Sequence, residues 1–175
     1  MKLETSRLIL RTPKLSDSIS LAKNGNKKDM YYYTWYISYP FTTPKAKKII
    51  IWLLKESKKK ERGVVPFSII PKANMEAVGI IDLYDIEKED KKAKIGFWIG
   101  EEYRGKGFTS EAVKEVLQLA FKKLKLNKVS AEALKDNTAS NHLLKKLGFR
   151  KVGIMEKEKI IHGKPLDCFL WEVNK

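Results

Sequence analysis

The chain has 175 residues, 43% of them hydrophobic, which is the length and composition of one folded domain over 1–175 and excludes disorder as the main state. Its longest apolar run, Ile49–Leu54, is far short of the roughly 20 residues that cross a bilayer, and Leu8-Ile9-Leu10 is too short for a secretory signal, so a cytoplasmic protein off the membrane is expected. Lys and Arg number 36 against 21 Asp and Glu; the net +15 attracts polyanions such as RNA, DNA, acidic membranes or a multiply phosphorylated cofactor, or else marks a lysine-rich or heat-adapted surface.

Alternation around Leu8 and Leu10 predicts an opening strand. Ser16 caps a short helix carrying Ile19 and Ala22 and closing near Gly25. Thr43-Pro44 starts a helix over about 44–60, with Ala46, Ile49, Ile50, Leu53 and Leu54 on one face. Val64–Ile70 and Ala77–Tyr84 read as strands around the turn Pro71-Lys72-Ala73-Asn74, and Lys94–Gly100 as a third strand after the acidic turn Glu87–Asp90. An apolar stripe from Ala112 to Leu124 predicts a helix over about 108–125. Then come a strand at Lys128–Ala133, a short helix over about 138–147 stopped by Gly148, and two strands, Lys151–Ile161 and Leu166–Val173, around His162-Gly163-Lys164-Pro165. This order gives a mixed sheet with helices on its faces, an α/β or α+β domain.

The chemistry concentrates in Ile95–Ala112, which runs strand, glycine turn, helix start. Gly105 and Gly107 let main-chain N–H groups approach an anion, and the helix beginning near Phe108 aims its unpaired amides and positive dipole end at the same place. The result is a diphosphate cradle, to which Arg104 and Lys106 add charge. The spacing matches neither a dinucleotide fingerprint nor a Walker loop, and taken alone it also fits an ordinary strand-to-helix connection.

Glu102 to Gly107 resembles motif A of the GNAT N-acetyltransferases, Gln/Arg-x-x-Gly-x-Gly/Ala. Asn137-x-x-Ser140 followed by Leu147-Gly148-Phe149 resembles that family's next helix. The opening Thr5–Arg11 and the ending Gly163-x-x-x-Asp167 are similar to its RimJ/RimL branch, the ribosomal-protein N-terminal acetyltransferases. The resemblance spans essentially the whole chain and implies a GNAT fold of about seven strands and four helices, with acetyl-CoA as donor and no metal. It implies that the amides of Arg104, Gly105, Lys106, Gly107, Phe108 and Thr109 hold the pyrophosphate, and that Phe97, Trp98 and Ile99 pair with the pantetheine arm. Asn137 would contact that arm, and Ser140 would lie near the sulfur. The chain departs from the pattern at Glu102, where relatives carry Gln or Arg, and at Leu144, where many carry a tyrosine acid. That leaves Ser140, directly or through water, as proton source. The branch's base position on the penultimate strand falls at Lys159, with Glu158 beside it.

Direct attack of an amine on a thioester needs a neutral amine, donors for the developing oxyanion and a proton for the thiolate. Backbone N–H at Trp98 and Ile99 is the oxyanion candidate. With no strong carboxylate base in register, a protein α-amino group, with a pKa of about 7.7–8.0, suits the site better than a lysine-type amine near about 10.4. Tyr33, Trp35 and Tyr36, within the aromatic run 31–36, and Asp82 are candidate acceptor contacts; Asp82, Asp85, Glu87, Glu89 and Asp90 together would gather a cation such as spermidine. A non-catalytic RNA- or ribosome-binding protein on the same fold is the other alternative, and both monomer and homodimer are open. Cys168 reads as a buried core residue, Asp167 as structural and His142 as exposed; His162 reads as a turn residue, and the two histidines form no metal site.

Overall fold

The computed structural model describes residues 1–34, 36–61, 63–161 and 163–175. Two short strands open the chain, β1 (Lys2–Glu4) and β2 (Leu8–Arg11). Three helices follow: α1 (Ser18–Gly25), α2 (Lys28–Tyr33) and α3 (Thr43–Glu56). Next come β3 (Gly63–Pro71), β4 (Gly79–Glu87) and β5 (Lys92–Ile99), then α4 (Phe108–Gln118), β6 (Lys128–Leu134) and α5 (Thr138–Lys146). The long strands β7 (Arg150–Ile161) and β8 (Lys164–Asn174) complete the chain. All eight strands form one sheet in the order β1-β2-β3-β4-β5-β6-β8-β7, antiparallel except between β5 and β6.

Strand alternation assigns side chains to two cores, one on each face of the sheet. Leu8, Leu10, Phe67, Ile81, Ile95 and Ile99 pack with Ala112, Val113 and Val116 of α4. Ile70, Ile80 and Trp98 point the other way, onto Leu21 of α1 and Ala46, Ile50 and Leu53 of α3. β3 and β4 therefore bury apolar side chains on both faces, with Ser68 and Asp82 as buried polar exceptions, and burying each large aliphatic side chain contributes roughly 1.5–3 kcal/mol before entropy is subtracted.

The architecture is the mixed α/β sheet the sequence implies, with eight strands and five helices where about seven and four were expected. β1 and α2 are the additions. β1 buries only Leu3, and α2 is six residues long, so neither shows a hydrophobic period. α3 ends at Glu56, because Ser57–Glu61 offers no apolar side chain to bury, and Ser57 Oγ turns back to the carbonyl of Leu54 at 2.9 Å. The helix expected to be capped by Ser16 starts at Ser18, after a 3-10 turn at Leu15–Asp17. Asp17 is buried there by Arg11, Lys14 and Ser68, and the rotated helix buries Leu21 while Ile19 is exposed. α4 widens into a π turn at Leu119–Lys123, so the 108–125 stripe is not one regular helix.

Candidate active site

The cleft exists because β5 and β6 part. Their parallel pairing lasts from Lys92/Lys128 to Lys94/Ser130 and then stops. β5 stays paired with β4 up to Ile99, and β6 with β8 up to Leu134, so each strand keeps its outer hydrogen bonds while its inner edge opens. Gly100 N–H donates to the carbonyl of Val78 at 2.8 Å; with a period of two, the amide of Trp98 also faces β4, whereas those of Phe97 and Ile99 face the gap. An extended ligand laid in the gap would meet the main-chain groups of this edge, where the Ile99 carbonyl already accepts Arg104 Nε at 3.5 Å. Of the two oxyanion candidates, alternation therefore leaves Ile99 directed at the opening and turns Trp98 away.

A cleft of about 1100 Å³ runs through this gap. At one end lies the glycine turn. Gly105 and Gly107 have φ of +72° and +80°, values that L side chains rarely adopt, and a Cβ on Gly105 would meet nothing within 4 Å. The first intrahelical bond of α4 is Glu111 N–H to the carbonyl of Gly107, at 3.0 Å, which leaves the amides of Phe108, Thr109 and Ser110 without intrahelical partners. An open, positively polarised row of N–H groups fits a phosphate-bearing ligand. Arg104 departs from the sequence expectation. Its N–H is taken by Glu101 at 3.1 Å, and its guanidinium turns to Asp29 and Met30 of α2, so the free amides begin at Gly105. Lys106 lies 5.6 Å from the ring centre of Tyr103.

Across the gap, Asn137 caps α5 by accepting the N–H of Ser140 at 3.1 Å; both line the cleft, as does exposed His142. Tyr32 of α2 donates to Asp136 at 2.9 Å, so α2 is tied to both walls, through Arg104 on one side and Asp136 on the other.

Two carboxyls that line the cleft have opposite fates. Asp82 on β4 is 6% exposed, and burial pushes its pKa up to about 7. Gly96 stands opposite in the ladder; a Cβ there would lie 3.1 Å from Asp82 Oδ1, so the glycine makes room for the carboxyl. Burial also raises Tyr84 and Tyr36 beside it. Glu132 on β6 is buried as well, yet Lys94 at 2.8 Å and Lys159 at 3.2 Å outweigh that burial and hold it below the usual range. Among these groups Asp82 can take up a proton near neutrality; Glu132 cannot.

Glu158 is exposed and lines the cleft from β7. Lys159, at the position expected for a base, is held by Glu132. Asp167 accepts the N–H of Lys157 at 3.0 Å and pairs with Lys135, fixing the irregular stretch of β7, a structural role. Burial raises the Cys168 thiol to about 11. The acidic run is largely neutralised: Lys92 holds Glu87 and Asp90, and Lys94 reaches Asp85 at 3.7 Å. Tyr33 and Tyr36 line the cleft; Trp35 and His162 lie outside the described residues. Among the described residues no three His, Cys, Asp or Glu side chains converge on a point that would hold a metal. Sequence reasoning missed the Glu132 clamp, the ties of α2 and the packing of Arg7 against the glycine turn. Only the last had a signal, the Thr5–Arg11 segment, which carried no role.

Parted strands, an amide-lined turn at a helix start and a buried carboxyl without a charged partner on the neighbouring strand form a cleft that suits an extended, phosphate-bearing ligand. Residues 7–150 match the acetyltransferase (GNAT) domain family. The chain is 31% identical over 173 residues to the uncharacterized N-acetyltransferase p20 of Bacillus licheniformis, covering 99% of this chain and 96% of that protein. It belongs to the GNAT family and is an N-acetyltransferase that uses acetyl-CoA as co-substrate. The spermidine N(1)-acetyltransferase of Escherichia coli K12 is 32% identical over 88 residues, 50% of this chain and 47% of that one. In fold the chain is similar to RimL, a ribosomal L7/L12 alpha-N-protein acetyltransferase solved with coenzyme A: the TM-score is 0.87 at 19% identity, covering 99% and 98% of the two chains.

Proposed function

We propose that residues 1–175 act as one acetyltransferase domain that acetylates a primary amine, foremost the N-terminal α-amino group of a protein. The observation that carries this reading is Asp82, a buried carboxyl with no charged partner among the described residues and a pKa raised to about 7. An α-ammonium near 7.7–8.0 passes its proton to such a carboxylate at a penalty of about 1 kcal/mol, whereas a lysine-type ammonium near 10.4 demands about 4–5 kcal/mol.

In this reading Asp82 draws in the ammonium and takes its proton. Acetyl-CoA, when bound, supplies the thioester carbonyl that the freed amine attacks. The N–H of Ile99, facing the gap, polarises the carbonyl oxygen, and Ser140, directly or through water, protonates the sulfur as the carbon–sulfur bond breaks and is itself reprotonated by the proton that the attacking nitrogen gives up. Gly105 to Thr109 hold the pyrophosphate, Phe97 and Ile99 offer backbone to the pantetheine arm with Trp98 between them, and Asn137 steadies the arm from α5. Arg104, tied to α2, contributes through its place in the loop. Tyr33 and Tyr36 wall the acceptor entrance, and Glu158 lies at its rim.

Rates with a short unblocked peptide, spermidine and an Nα-blocked lysine, measured in parallel by thiol release from acetyl-CoA, test the assignment. The peptide should give the highest kcat/KM. Preference for spermidine would move the reading to a small-amine enzyme, and no release with any acceptor would leave a coenzyme-A-binding protein of another role.

A further inference from the structure

We propose that Arg7 is a positioning residue for the donor's pyrophosphate, acting through the glycine turn without touching the ligand. Thr5, Ser6 and Arg7, the link between β1 and β2, all converge on one carboxylate, Glu111 in the first turn of α4. Thr5 Oγ donates to Oε1, as do Ser6 Oγ at 3.2 Å and the Arg7 N–H at 3.0 Å; Arg7 Nε donates to Oε2 at 2.7 Å. The same guanidinium donates from Nη1 to the carbonyl of Lys106 at 2.9 Å and lies 4.8 Å from the ring centre of Phe108. One planar fork therefore joins the helix start to the loop that precedes it.

Two consequences bear on an anion. A trans peptide points its C=O and the following N–H in opposite directions, so fixing the Lys106 carbonyl toward Arg7 directs the Gly107 N–H away from Arg7, to the side of the turn that lines the cleft. Glu111 would otherwise place a bare negative charge within one turn of the phosphate; its pairing with Arg7 at 2.7 Å cancels that charge. A lysine, with a single point of charge, cannot hold both the Lys106 carbonyl and Glu111 in this geometry.

The inference rests on the proposed placement of the pyrophosphate over Gly105–Thr109. The test compares acetyl-CoA with S-acetylpantetheine, which carries the same thioester and arm but no pyrophosphate, in wild type, Arg7→Ala, Arg7→Lys and Arg7→Ala/Glu111→Gln, each checked for its melting temperature. Wild type should favour acetyl-CoA through KM, and Arg7→Ala should erode that preference about tenfold, by raising KM for acetyl-CoA with kcat nearly unchanged. Arg7→Lys should recover little of it, and the double variant part of it, since the unpaired charge is gone. If wild type shows no preference between the donors, the pyrophosphate placement itself falls. If wild type prefers acetyl-CoA and Arg7→Ala keeps that preference, or slows both donors equally, the role of Arg7 is refuted.

Discussion

Asp82→Asn should inactivate the protein and stabilise it at once. A carboxyl whose pKa rises from 3.8 to about 7 on folding opposes the folded state whenever it must ionise. The sign follows from proton binding: between those two values the native chain holds a proton that the unfolded chain has released, so stability falls as pH rises through that window and levels off above about 7. The accumulated loss is about 4 kcal/mol by pH 8. Asparagine keeps the shape and never ionises. At pH 8 the variant should therefore outlast wild type by up to about 4 kcal/mol, roughly 8–16 °C in Tm for a chain of this size, with the difference shrinking toward zero near pH 4. Thermal melts at pH 4, 6 and 8 read this directly. In parallel, kcat/KM for the peptide acceptor should rise with pH through a step near 7 in wild type and lose that step in Asp82→Asn. Parallel Tm-versus-pH curves for the two proteins would refute the buried ionisation, and a persisting step in rate would refute the role as base.

Gly105→Ala, which meets no atom but keeps a φ of +72°, should raise KM for acetyl-CoA about fivefold through roughly 1 kcal/mol of backbone strain, measured by initial rates. Glu132→Gln should destabilise by about 1–3 kcal/mol in urea at neutral pH, by taking from Lys159 its anion and leaving Lys94 only Asp85 at 3.7 Å. Because Glu132 is held below 4.5, wild type should lose that advantage as pH falls beneath this value, and the two urea midpoints should approach each other in acid. Cys168→Ala should retain transfer, and iodoacetamide at pH 8 should not inactivate the folded enzyme, since with a pKa of about 11 only about one thiol in a thousand is ionised there.

The sequence exposed the donor side better than the acceptor side, and the reason is physical. Gly105 and Gly107 are local signals: a backbone conformation only glycine adopts easily, next to a helix start, is written in consecutive residues. The strands and the α4 stripe were likewise legible because alternation and helical period are short-range patterns. The acceptor side is assembled from separate strands. Nothing in the neighbours of Asp82 announces that Gly96 lies opposite it, or that the carboxyl is buried alone. Glu132 carries no signal in the sequence, and its role as a held anion appears only when Lys94 and Lys159, on two other strands, are found beside it. α2 is too short to carry a period, and its place over the cleft depends on Asp29 meeting Arg104 and Tyr32 meeting Asp136, contacts that cross 75 and 104 positions of the chain.

The separation of β5 from β6 turns the centre of the sheet into a window with two differently furnished sills. Ile95 and Ile99 look out on the α4 side, where the glycine turn lies, while Gly96 and Trp98 look out on the side of Asp82. In the proposed arrangement the two substrates meet in the opening from opposite sides, so an acceptor as large as a folded protein need not pass the nucleotide to reach it. Exchanging side chains on β4, α2 and α3 would then redirect the enzyme toward a new amine while the machinery for the acyl donor stayed intact.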